Sequence, residues 1–119
     1  LNQYYRLLVS YDMGEGQLKW ELKRIERHEG DSGGGAGRGT ALIGWRTVSG
    51  VSYNASDWNT WRIEVSDASN DNIKIYMNDV HIGSATDHDY IDEGYFGTFL
   101  YPTNELGGVA TKWEYFRVR

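Results

Sequence analysis

Apolar and polar residues alternate along most of this chain with a period of two, the spacing of a β-strand that buries one face. The clearest run follows Trp58: Trp61, Ile63 and Val65 alternate with Arg62 and Glu64. This predicts a strand with the first three side chains buried and the two charged ones in solvent. A turn over Asp67 to Asn72 leads into a second alternating run, Ile73 to Met77. Asn78-Asp79 then separates it from a return strand, Val80 to Ser84. Both turn residues tolerate positive φ, so a tight hairpin is expected.

The same pattern recurs nearer the start. Tyr5, Leu7, Val9 and Tyr11 alternate with Tyr4, Arg6, Leu8 and Ser10. Asp12 to Gly16 is a turn, and Leu18 to Arg27 is a second strand in which Leu18, Trp20 and Leu22 alternate with Lys19, Glu21 and Lys23. The apolar phase then shifts to Ile25, which suggests a bulge or bend. Thr40 to Val48 is a third strand, and Tyr95 to Tyr101 and Thr111 to Arg119 read as the last two. Residues 30–39 hold six glycines in ten positions. No Lys-Ser or Lys-Thr and no helical pattern follows them, so a phosphate loop is rejected in favour of a flexible surface loop. The expected fold class is all-β, an antiparallel jelly-roll-like β-sandwich, with residues 1–119 as a single domain.

Composition narrows the partners. The net charge of −5 disfavours nucleic acid, which wants a basic surface. The absence of cysteine excludes disulfides and thiolate metal sites. No apolar run approaches the length of a membrane span, so membrane insertion is not expected.

Taken in order, six segments resemble the C-terminal part of the concanavalin A-like lectin/glucanase jelly rolls, the laminin G-like superfamily. They are Tyr4-Tyr5, Gly16-Gln17-Leu18, Trp58 to Val65, Ile73 to Asp79, Gly94-Tyr95-Phe96-Gly97 and Trp113 to Val118. Two positions depart from the family pattern: Asp79 stands where the hairpin usually has Gly, and Glu114 where the closing strand has Asp. The resemblance implies an extracellular or cell-surface carbohydrate-binding or adhesion module. It also implies a structural calcium near the closing acid, for which Glu114 retains the charge. The family's first strands have no counterpart here. The sandwich is therefore either smaller, incomplete, or completed by another chain, and an assembly subunit working by strand complementation or edge pairing is the second functional reading.

Catalysis finds no support in the residues. A glycosidase of this fold needs paired acids on one strand face, and Glu21 with Glu26, or Glu26 with Glu29, lacks the alternate spacing. Glu21 falls between Lys19 and Lys23 and reads as part of a solvated charged face. An accessory part in a glycoside-processing enzyme is a third reading. His28, His81 and His88 are scattered, with no nucleophile motif. The acidic stretch holding Asp87, His88 and Asp89 offers oxygen ligands for calcium, but a solvated acidic loop is the preferred reading. Asp67, Asp71 and Asn72 read as turn chemistry.

A sugar site needs an aromatic platform flanked by hydrogen-bonding side chains. Tyr4, Arg6, Arg62, Glu64, Lys74 and Tyr76 are candidates for one shared outward sheet face, with Tyr101 in an adjoining loop. Against this, Tyr4 and Tyr76 also suit cross-strand packing, and the charges suit surface ion pairs. Trp20, Trp61 and Trp113 are expected in the core, whereas Trp45 and Trp58 are expected at the surface, and Trp58, at the strand entry, is a further candidate for ligand contact. Asn54-Ala55-Ser56 fits the N-glycosylation acceptor in a surface connection.

Overall fold

The computed structural model describes residues 3–26 and 39–89. They form six strands: β1 (Gln3–Asp12), β2 (Gln17–Glu26), β3 (Gly39–Thr47), β4 (Trp61–Val65), β5 (Ile73–Met77) and β6 (Val80–Ala85). No helix occurs among the described residues. The strands make two antiparallel sheets, β1-β2-β3 and β4-β5-β6. The chain is all-β, as the alternation predicts. The expected strands at 95–101 and 111–119 and most of the glycine-rich loop lie outside the described residues. Gly39, placed in that loop by the sequence, opens β3.

Both hairpins follow from their turn residues. In the β1–β2 turn the Gly16 N–H donates to the Asp12 carbonyl at 2.7 Å, with φ at Gly16 of 67°. The Asp12 carboxylate accepts the Glu15 N–H at 2.9 Å. In the β5–β6 turn Asn78 and Asp79 have φ of 50° and 65°, the paired positive values of a two-residue type I′ turn. Asn78 also fixes the approach to β4. Its N–H donates to the Thr60 carbonyl at 2.8 Å, its Oδ1 accepts the Thr60 N–H at 2.9 Å, and its Nδ2 donates to Asn59 Oδ1 at 3.0 Å.

The two sheets pack face to face over a core of Trp20, Leu22, Ile43, Val48, Ile73, Ile75 and Met77. The inner residues of β5, Ile73, Ile75 and Met77, are completely buried. Gly83 of β6 lies opposite Trp20 of β2, where a Cβ would sit 2.5 Å from the indole Cη2. This absence of a side chain lets the sheets approach around the largest core residue. Tyr5, Leu7, Val9 and Trp61 pack on the margin of the core.

Three expectations need correction. β2 carries no bulge against β1, because their register is unbroken from Gln3↔Glu26 to Asp12↔Gln17. The irregularities lie between β2 and β3, where β3 supplies the extra residues between Arg46 and Ala41. Ile25 is nevertheless buried, on the face of β2 opposite Trp20 and Leu22, together with Arg6. The face expected to be a solvated charged one is thus largely withdrawn from water. Ile63 and Val65 are not buried: each is 41 % exposed. They share the inner face with Ile75 and Ile73 through the pairs Ile63↔Ile75 and Val65↔Ile73. Their strand is at the sheet edge, with a neighbour on one side only among the described residues.

Candidate functional site

An open cleft of about 290 Å³ lies at the β1–β2 turn, lined by Ser10, Tyr11, Asp12, Met13, Lys19 and Trp45. Trp45 is 46 % exposed and Tyr11 45 % exposed. The bulged stretch of β3 places Trp45 on the outer face while Arg46, its neighbour, pairs with Trp20 and lays its guanidinium 5.6 Å from that ring centre. Lys19 Nζ lies 3.3 Å from Asp12 Oδ2 and 3.2 Å from Glu15 Oε2. The Glu15 N–H, and then the Lys19 ammonium, hold the Asp12 carboxyl below its usual range. Glu15 and Asp12 in turn push the Lys19 ammonium up. Both groups stay charged at neutral pH. The cleft thus sets the exposed Trp45 ring beside a carboxylate and an ammonium held together by ion pairing, with Ser10 adjacent.

The residues proposed as one sugar-binding face divide between two sheets. Arg62, Glu64, Lys74 and Tyr76 share the outer face of β4-β5-β6, through the pairs Arg62↔Tyr76 and Glu64↔Lys74. Tyr4 and Arg6 lie on the outer face of β1-β2-β3, which points away from the first because the inner faces meet. The Arg62 guanidinium lies 4.1 Å from the Tyr76 ring centre, and the His81 ring 5.3 Å from it. Tyr76 is therefore flanked by a cation and an imidazole. Arg62 Nε also lies 3.8 Å from Glu64 Oε1. Arg6, only 4 % exposed, donates to Glu21 Oε1 at 3.1 Å. Glu21 is further neighboured by Lys23 Nζ at 3.9 Å. Trp58 is 58 % exposed, on a loop braced by Asn59 Nδ2, which donates to the Asn54 and Asp57 carbonyls. Asn54 is exposed, and its Oδ1 accepts the Ser56 N–H at 2.9 Å. Tyr101 and Glu114 lie outside the described residues.

Asp87 is not a solvated acid. It is buried and joins the two sheets. Tyr5 Oη donates to its Oδ1 at 2.6 Å, and Arg24 pairs with its Oδ2. Asn72 is also buried, and it clasps the Asp87 backbone: Nδ2 donates to the carbonyl at 2.6 Å and Oδ1 accepts the N–H at 2.9 Å. Burial pushes the Asp87 carboxyl up, but the Tyr5 hydroxyl, the Asp89 N–H and Arg24 outweigh it and hold the group below its usual range. Asp89 adds a second carboxylate 3.1 Å from Arg24. Among the described residues no group of three or more His, Asp and Glu side chains gathers as metal ligands. His88 is engaged locally, its Nε2 lying 2.8 Å from the Ala68 carbonyl.

Sequence reasoning marks Trp45 as a surface residue but misses the cleft around it. The available signal was the position of Trp45 beside Gly44, in a strand whose neighbours alternate poorly. Comparison of the chain with known protein families, characterised proteins and solved structures finds no match.

Proposed function

We propose that the chain is a non-catalytic carbohydrate-binding or adhesion module of an extracellular or cell-surface protein, with the Trp45 cleft as its sugar platform. The observation that supports this is the exposure of Trp45 beside Asp12, Lys19 and Ser10. The apolar face of a pyranose stacks on an indole or phenol ring, and its hydroxyls need fixed donors and acceptors. The Asp12–Lys19–Glu15 cluster offers both. Tyr76 suits this role less well, since Arg62 already covers its ring. Stacking and hydrogen bonding need no cofactor, and in this reading any calcium is structural. The concanavalin A-like jelly roll remains the proposed family, resting on the order of the six sequence segments.

Calorimetric titration with a panel of neutral oligosaccharides at millimolar concentration tests the proposal. Saturable binding is expected, weakened about tenfold or more by Trp45→Ala, a loss of about 1.4 kcal/mol, and unaffected by Trp58→Ala. Absence of binding across the panel, or binding indifferent to Trp45→Ala, overturns it.

A further inference from the structure

Among the described residues, the outer edge of β4 carries a set of backbone groups that no strand pairs with. The Thr60 carbonyl accepts the Asn78 N–H, and the Ser66 N–H donates to the Asn72 carbonyl. Because the direction of backbone groups alternates along a strand, residues 60, 62, 64 and 66 direct theirs toward β5. Trp61, Ile63 and Val65 direct theirs toward the free edge. Among the described residues nothing pairs with that edge. The same residues carry the two inner-face side chains, Ile63 and Val65, that the sandwich leaves exposed.

We propose that β4 is a self-pairing edge, and that its occupant is β4 of a second copy, antiparallel and centred on Ile63. This register places Ile63 opposite Ile63 and Trp61 opposite Val65, each as a pair that exchanges both N–H···O bonds. The apolar inner face then continues across the junction and covers Ile63 and Val65. On the outer face Arg62 of each copy falls opposite Glu64 of the other. These are non-hydrogen-bonded positions, where side chains approach most closely. The arrangement is isologous, as a two-fold dimer requires. Charge complementarity singles out this register, because a shift of two residues along the edge sets Arg62 opposite Arg62 or Glu64 opposite Glu64. A five-residue strand buries less than an ordinary stable interface, so the dissociation constant is expected on the order of 0.1–1 mM.

Sedimentation equilibrium of the full chain, from about 10 μM to about 1 mM, tests this. The mass is expected to rise toward that of a dimer. Arg62→Glu and Glu64→Arg alone should each raise the dissociation constant about tenfold. The double exchange Arg62→Glu/Glu64→Arg should return it to within about threefold of the native value, since opposite charges again meet. Ile63→Pro removes an N–H that points away from β5, so the variant should stay folded by circular dichroism yet monomeric. A native chain that is monomeric throughout overturns the proposal, including the case where the Ile63 N–H is protected from exchange by another part of the same chain. A double exchange no better than the single variants also overturns it.

Discussion

The indole of Trp20 occupies the space that a side chain at Gly83 would need. A Cβ there would fall 2.5 Å from Cη2 and 3.1 Å from Cζ2 of the ring, and 3.3 Å from Ile43 Cδ1. The contact joins the two sheets at the centre of the core, so each residue constrains the other. Gly83→Ala is expected to destabilise by about 1–3 kcal/mol through overpacking, and Trp20→Ala by about 3–5 kcal/mol through the cavity it leaves. Combined with Trp20→Phe, the Gly83→Ala cost should shrink, since the smaller ring vacates the space. A denaturant-based double-mutant cycle reads this as a non-additive pair. Strict additivity would show that the contact does not set the sheet spacing.

The Asn78-Asp79 turn gives a second prediction. Both residues hold positive φ, where a residue with a Cβ is strained and Gly is not. Asp79→Gly should stabilise by up to about 1 kcal/mol, relief of that strain exceeding the added freedom of the unfolded chain. Asn78→Gly should not, although it relieves the same φ, because Asn78 also bonds Thr60 and Asn59. Thermal unfolding of the two variants separates the effects: Asp79→Gly should melt above the native protein and Asn78→Gly below it.

How much of this was legible beforehand depends on the range of each interaction. All six strands lie within a few residues of where the sequence places them, because strand and turn signals are local. The hairpin at Asn78-Asp79 was legible for the same reason. The partition into sheets was not, since it depends on which strands meet. Tyr4 and Arg6 therefore end on the opposite side of the molecule from Arg62 and Tyr76, although their own alternation was read correctly. The role of Gly83 has no local signal, because it exists only where Trp20 faces it from the other sheet. Ile63 and Val65 have the pattern of buried residues, but β4 has a neighbour on one side only among the described residues, which leaves its inner face half covered. The Trp45 cleft depends on extra residues in β3, whose effect appears only once the register with β2 is known.

Asp87 looked like part of a solvated acidic run, and its burial against Tyr5 and Arg24 predicts acid sensitivity. Its carboxyl is held below the usual range in the folded protein. The unfolded state therefore takes up a proton first as pH falls. The stability that Asp87 contributes is fully present above the ordinary carboxyl pKa of about 3.9 and is lost as pH drops through the lower folded value. Asp87→Ala should cost about 3 kcal/mol at pH 7, the range for breaking a buried ion pair. Asp87→Asn should flatten the fall in stability below about pH 4. Urea titrations from pH 7 to pH 3 check both, and an unchanged acid limb in the Asn variant would assign the acid sensitivity to other groups.

The pairing of Arg6 with Glu21 turns a candidate for catalysis into a question of stability. Arg6 is buried, and its Nε meets no acceptor among the described residues. Glu21 Oε1 therefore supplies its counter-charge at 3.1 Å. Glu21→Ala should be costly, about 3–5 kcal/mol, because it leaves a guanidinium in a site withdrawn from water. Replacing both partners, as Arg6→Met/Glu21→Leu, removes the charge together with its need for solvation, and should cost little or stabilise by about 1–4 kcal/mol. Ile25, completely buried on the same face, already makes the surroundings suitable for apolar side chains. Equilibrium unfolding of the three proteins decides the matter. A double variant as unstable as Glu21→Ala would mean that the pair holds the outer face of β1 and β2 through its hydrogen bond rather than by balancing a buried charge.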